Sequence, residues 1–115
     1  MVTVEVIVLP NGDIKEFTVS GHADFRKHGK DIVCSAVSVL TQTTVLGLSV
    51  IAEADIDYKI DEGYLYCKLK DNLSEMQSIK AQAILKTMYE GIKNIRESYS
   101  KYIIILEKRG GVADV

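Results

Sequence analysis

The chain has 115 residues, which suits one domain built on one modest core. Its 47% hydrophobic and 26% charged content are those of an ordinary globule. A net charge of -2 argues against the basic face that phosphate neutralisation needs, so no direct nucleic-acid binding is expected.

The chain opens with Val2, Val4, Val6 and Val8 alternating with Thr3, Glu5, Ile7 and Leu9, a β-strand pattern rich in β-branched residues. This start lacks a basic segment followed by a small-residue cleavage site, so it is not read as a signal peptide. Asn11-Gly12 in "PNGD" predicts a two-residue hairpin turn, and Ile14 to Ser20 returns as the second strand. Gly21 to Lys30 is polar and punctuated by glycine, and reads as loop. Asp31 is a good N-cap, with an apolar run starting just after it. Val33, Ala36, Val37, Leu40, Thr44, Gly47, Leu48 and Ile51 then fall at helical spacing. No apolar run is read as reaching the roughly 20 residues of a membrane span.

Ala54 to Ile60 and Tyr64 to Lys70 flank "DEG" as a second hairpin. Ser74 and Gln77 have capping-box spacing. Behind them Ala81, Ile84, Leu85, Met88, Ile92, Ile95 and Tyr99 make one apolar helical stripe. Tyr102 to Glu107, with "IIIIL" inside, reads as a fifth strand, buried on both sides or central. The tail "KRGGVADV" reads as frayed. The order ββαββαβ predicts an α/β two-layer sandwich: a mainly antiparallel five-stranded sheet with two helices, a single domain over 1–115. The sheet's other face is expected to carry Ile7, Leu9, Phe17 and Val19, too apolar for open water, which predicts a homodimer.

Both histidines and one of the two cysteines lie in "GHADFRKHGKDIVCSAVSVL". With Asp31 as N-cap, Cys34 is the third helical residue. Backbone N–H groups there have no intrahelical acceptor and carry partial positive charge. A thiol so placed is a better nucleophile, and the same N–H groups can hold an oxyanion. The loop from His22 is long enough to fold an imidazole back beside that thiol. Arg26, Lys27 and Lys30 make the loop cationic, and Gly21 and Gly29 bracket it as hinges of a lid.

Each residue also has a plainer reading, and residue statistics favour it. Cys34 is then buried core, His22 and His28 are solvated, Asp31 is a cap, and Ser38 bonds back to its own helix. Cys67 alternates within a strand and reads as core. A metal site from His22, His28 and Cys34 lacks a fourth group and suitable spacing, so neither metal nor cofactor is expected. Two cysteines without CxxC spacing point to a reducing compartment.

"GHA" followed by "HGKDIVCSAVS" resembles the ribosomal-processing cysteine protease family, Prp. Gly21, His22, Gly29, Asp31, Cys34 and Ser38 match its pattern in place, and Ser35 stands where the family often has Ala. The resemblance implies a two-layer α/β domain, a homodimer, and peptide-bond hydrolysis in the cytoplasm. It implies as substrate and partner the N-terminal extension of a large-subunit ribosomal protein. It makes Cys34 the nucleophile and His22 the general base and acid, with Asp31 and Ser38 as supporting groups. The alternative from the residues is a non-catalytic module that binds a ribosomal protein or assembly factor. A thiol redox sensor is a further rival, though no resolving cysteine is near in sequence.

Overall fold

The computed structural model describes residues 1–21 and 28–110, with the side chains of the first helix described from Ile32 onward. Seven elements follow the predicted order: β1 (Val2–Val8), β2 (Ile14–Ser20), α1 (His28–Val50), β3 (Ile56–Asp61), β4 (Tyr64–Leu69), α2 (Glu75–Ser98) and β5 (Ile103–Arg109). The strands form one sheet in the order β3-β4-β2-β1-β5. All neighbours are antiparallel except β1 and β5, which run parallel. Both helices pack on one face of this mixed sheet.

The β1–β2 connection is longer than the two residues predicted. The Gly12 N–H donates to the Leu9 carbonyl at 2.9 Å and the Leu9 N–H to the Asp13 carbonyl at 2.8 Å. Only Gly12 takes a positive φ here, 91°, as in a type I turn closed by a left-handed residue. Pro10 suits the first corner of such a turn.

Register shifts between Ile7 and Val8, which pair with Glu16 and Ile14, so Lys15 is the extra residue of a β-bulge. The bulge turns Ile14 and Phe17 to the same face, although they are three apart. Gln82 of α2 serves the disturbed backbone: its Oε1 accepts from the Ile14 N–H at 2.8 Å and its Nε2 donates to the Ile14 carbonyl at 2.9 Å. Strict alternation would send Phe17 and Val19 to the open face. Instead Phe17 is fully buried beneath the helices, and Val19 pairs with Val4 and Leu65 on that same side. The expected apolar open face therefore does not form around these two residues.

The core is one cluster. Val4, Val6, Phe17, Leu65 and Cys67 come from the sheet, Val33, Val37 and Leu48 from α1, and Ala81, Leu85, Met88 and Ile92 from α2. Truncating Phe17 to Ala removes contacts worth about 3–5 kcal/mol. The α2 capping box is present in both directions: the Gln77 N–H donates to Ser74 Oγ at 3.1 Å, and the Ser74 N–H to Gln77 Oε1 at 2.8 Å. A Cβ on Gly91 would lie 2.9 Å from a Leu40 methyl, so the two helices meet closely there.

Four expectations change. β5 is an edge strand rather than a central one, and only Ile103 in it is buried. Ile104 and Leu106 of its apolar run are exposed, so no second layer covers them. Lys108 and Arg109 belong to that strand rather than to a frayed tail, and the Gly110 N–H donates to the Val8 carbonyl at 3.0 Å; residues 111–115 lie outside the described residues. α1 begins at His28, one turn before the predicted cap. An acidic residue suits the whole first turn of a helix, so Asp31 does not mark the boundary. Finally, Ile32–Val50 is a 19-residue segment long and apolar enough, by length and composition alone, to cross a membrane. Serine and threonine interrupt its aliphatic residues, but no charge does. Its inner face is committed to the sheet through Val33, Val37, Val45 and Leu48.

The outer face of α1 is also apolar. Val39, Leu46 and Val50 are 67%, 62% and 61% exposed. With Ile32, Ala36 and Thr43 they follow the alternating three-and-four spacing of a helix–helix seam.

Candidate active site

Three parts of the chain meet at one end of the sheet. β2 ends there, and Gly21 continues the pairing by donating its N–H to the Gly63 carbonyl at 3.1 Å. The β3–β4 hairpin turns there through Glu62 and Gly63, with Asp61 opposite Tyr64. α1 passes over both. Gly21 has φ 127°, and a Cβ on it would collide with the Met1 carbonyl oxygen. This glycine is thus required by close packing at the strand end, whatever the following segment does.

The junction encloses a cavity of about 100 Å³. α1 contributes Cys34, Val37, Ser38 and Thr41, which lie on one side of the helix at steps of three and four. Val2, Val19 and Leu65 supply an apolar floor from the sheet, while Asp61, Gly63 and Tyr64 stand at the hairpin end. Thr41 is buried, and its hydroxyl donates to the Val37 carbonyl at 2.8 Å, which settles its polarity within the helix. Ser38 Oγ accepts a 2.9 Å bond from Gln42 Nε2, which fixes the oxygen and leaves the hydroxyl proton as a donor. This contact lies within α1, in keeping with the plainer reading of Ser38 as a hydroxyl bonded to its own helix. Asp61 is exposed, with Lys59 Nζ at 3.6 Å.

Cys34 is a half-buried free thiol opening on this cavity. Because α1 begins at His28, Cys34 is in the second helical turn and not the first. Its own N–H lies within the helical hydrogen-bonding ladder, so it is not one of the orphan donors predicted for an oxyanion. Gly29, Lys30 and Asp31 fall in the first turn of α1 rather than in a loop, and their side chains lie outside the described residues. His22, Arg26 and Lys27 lie outside the described residues altogether, as does most of the predicted lid. Gly21, the residue before His22, lines the cavity with Cys34.

Cys67 contrasts with Cys34. It is 1% exposed, and burial pushes its thiol up to about 12. Among the described residues no cluster of three or more histidine, cysteine or acidic side chains forms a metal site.

Sequence reasoning missed the sheet-side half of the cavity: Val19, Asp61, Gly63 and Tyr64. The available signal was strand length. Two seven-residue strands and a short second hairpin bring the end of β2 beside the start of β4, and hence beside the helix that follows β2.

The model of the family described as cysteine protease Prp matches residues 1–104. The chain is 30% identical over 106 residues to the ribosomal processing cysteine protease Prp of Staphylococcus aureus strain Mu50, covering 90% of this chain and 95% of that one. The fold is similar to the crystal structure of the essential ribosomal processing protease Prp from S. aureus in complex with a substrate peptide: TM-score 0.81, 26% identity, 94% of this chain and 100% of that one. The same S. aureus protease with a covalently linked product peptide matches with TM-score 0.79 and 27% identity, again over 94% of this chain and 100% of that one. The chain therefore belongs to the cysteine protease Prp family and is itself a cysteine protease.

Proposed function

We propose that this protein is an endopeptidase that removes the N-terminal extension of a large-subunit ribosomal protein, using Cys34 as nucleophile and His22 as general base and acid. The observation that carries the reading is the cavity: it opens on the Cys34 thiol and is lined by Gly21, the neighbour of His22. The names of the S. aureus relatives supply the ribosomal substrate, and a covalently linked product is what an acyl-enzyme route leaves behind.

In this reading His22 takes the Cys34 proton and the thiolate attacks the scissile carbonyl carbon. The resulting oxyanion needs donors other than the Cys34 N–H. The Ser38 hydroxyl, one turn on and braced by Gln42, is the donor we assign. Collapse breaks the C–N bond, and protonated His22 gives its proton to the leaving amine. Water then attacks the thioester, with His22 taking one of its protons, and releases the acid and the free thiol. Asp31 is a supporting group near the start of α1, and the reaction needs no cofactor.

The partner proposed for the outer face of α1 is a second copy of the chain. A two-fold interface must be complementary to itself. The stripe of Val39, Leu46 and Val50 carries no charge, so its own copy meets it without burying an unpaired ion. Light scattering checks this: a dimer is expected, and Leu46→Glu is expected to be monomeric. We place the protein in the cytoplasm, where its ribosomal substrate is made.

The substrate is tested by mixing the protein with the extended ribosomal protein of its own organism and weighing the products. One cut that removes the extension is expected. An uncut protein that nevertheless binds would instead mark a binding module.

A further inference from the structure

The two helices are stabilised by different means. α2 starts from a capping box and has strong local signals. In α1, nine of the nineteen residues from Ile32 to Val50 are Val, Ile or Thr, and Gly47 stands among them, all weaker helix formers than Ala or Leu. Two of its buried side chains, Thr41 and Thr44, bond their hydroxyls to the Val37 and Leu40 carbonyls of the same helix, at 2.8 Å each. A helix of this composition depends on what packs against it. The sheet covers its inner face. Its outer stripe, Ile32, Ala36, Val39, Thr43, Leu46 and Val50, carries no charge.

That stripe has the same spacing in both directions. Its steps are four, three, four, three and four, so about position 41 every member has a counterpart: Ile32 with Val50, Ala36 with Leu46, Val39 with Thr43. Two antiparallel copies of α1 on a two-fold axis at that point set the smallest residue against the largest. The stripe, about 28 Å long and about 10 Å wide, is small beside the roughly 800 Å² per partner of a stable complex. The valley between α1 and α2 supplies the rest: Leu40, Gly47, Ile84, Thr87 and Gly91 line it, and none is charged. We infer that two copies pair α1 against α1 in this register, Ala36 opposite the partner's Leu46, and that the pairing holds the turn bearing Cys34, so that the dimer is the active form. The inference rests on the dimer and the nucleophile proposed above and adds the register and the coupling. Ile32 lies two residues before Cys34, in the same helical turn, and the partner's Val50 packs on it from outside. The second copy thus supplies, on the outer face, the packing that the sequence of α1 does not provide locally.

Sedimentation of the full chain over a dilution series measures the dimer dissociation constant. Ala36→Leu, which crowds the seam, and Leu46→Ala, which leaves a hole in it, are each expected to raise that constant at least about tenfold. The double variant is expected to return within about threefold of the parent. Ala36 and Leu46 of one chain are about 15 Å apart along the helix, so they compensate for each other only across an interface. Cleavage of the extended ribosomal protein, per subunit, is expected to follow the dimer fraction and to fall at least about tenfold in the monomer. Leu46→Glu, about 18 Å along α1 from Cys34, supplies a monomer where dilution does not, with its fold checked by circular dichroism. A double variant as weak as the worse single one overturns the register. Activity per subunit that stays constant while the dimer dissociates overturns the coupling. A parent that is monomeric throughout sinks the dimer reading beneath both; a dimeric parent that cuts nothing sinks the protease reading and the coupling, and leaves the register to be judged by sedimentation.

Discussion

Cys34 and Cys67 lie on elements that pack against each other, α1 above and β4 below, and their surroundings differ in almost every respect. Cys67 points into the core, is 1% exposed, and has its thiol pushed up to about 12 by burial. Cys34 is half-buried and opens on a cavity whose rim carries a serine, a carboxylate and the strand end that leads to His22. Burial alone makes a thiol inert; a thiol at the margin of a core keeps the packing that fixes it and the access that lets it react.

The sharpest way to separate the two regions is His22→Ala. If the imidazole serves Cys34, peptide cleavage is expected to fall by about 10²–10⁴ while thermal stability stays near that of the parent. A second contrast is chemical. Brief treatment of the native protein with iodoacetamide, followed by peptide mass analysis, is expected to modify Cys34 and leave Cys67 untouched. Both should be modified after unfolding. Equal labelling in the native state would erase the distinction.

A third contrast concerns pH and stability. Cys67 holds its proton more tightly in the folded chain than its ordinary value of 9.0 allows. Its contribution to stability is complete below that pH and is lost as pH rises toward about 12. Tyr89 behaves alike, pushed up to about 12 by burial and by its 2.7 Å hydrogen bond to Glu107, which ties α2 to β5. The melting temperature should therefore fall steadily above pH 9, and Cys67→Ala should delay the onset toward pH 10, where Tyr89 takes over. The smallest effect expected is at Gln42. Its bond to Ser38 is worth about 0.5–1.5 kcal/mol, so Gln42→Ala lowers kcat by about 2- to 10-fold with little change in KM.

The same contrast explains what the sequence could reveal. α2 was legible because its signals are local: a capping box at Ser74 and Gln77, and a stripe from Ala81 to Ile92 with a helical period. Cys67 was legible because its strand alternates cleanly. Phe17 and Val19 were assigned to the wrong face because the bulge at Lys15 leaves no mark in the alternation pattern, and only the partner strand and Gln82 reveal it. The edge position of β5 depends on which strand β1 chooses as its second neighbour, which "IIIIL" does not encode. At the site, Cys34 and Ser38 were legible as one helical face. The start of α1 was not, because Asp31 suits a first turn as well as a cap. Asp61, Gly63 and Tyr64 come from a hairpin some 30 residues later, and only tertiary register brings them to the thiol.

The role of Cys34 is tested most directly by comparing substitutions at the two cysteines on one substrate. Cys34→Ala and Cys67→Ala are each mixed with the extended ribosomal protein, and cleavage is followed by mass. Cys34→Ala is expected to lose at least about a thousandfold in rate, while Cys67→Ala, once shown to be folded, cuts at the same bond within a few-fold of the parent. Cleavage by Cys34→Ala at the parent's rate would contradict that role.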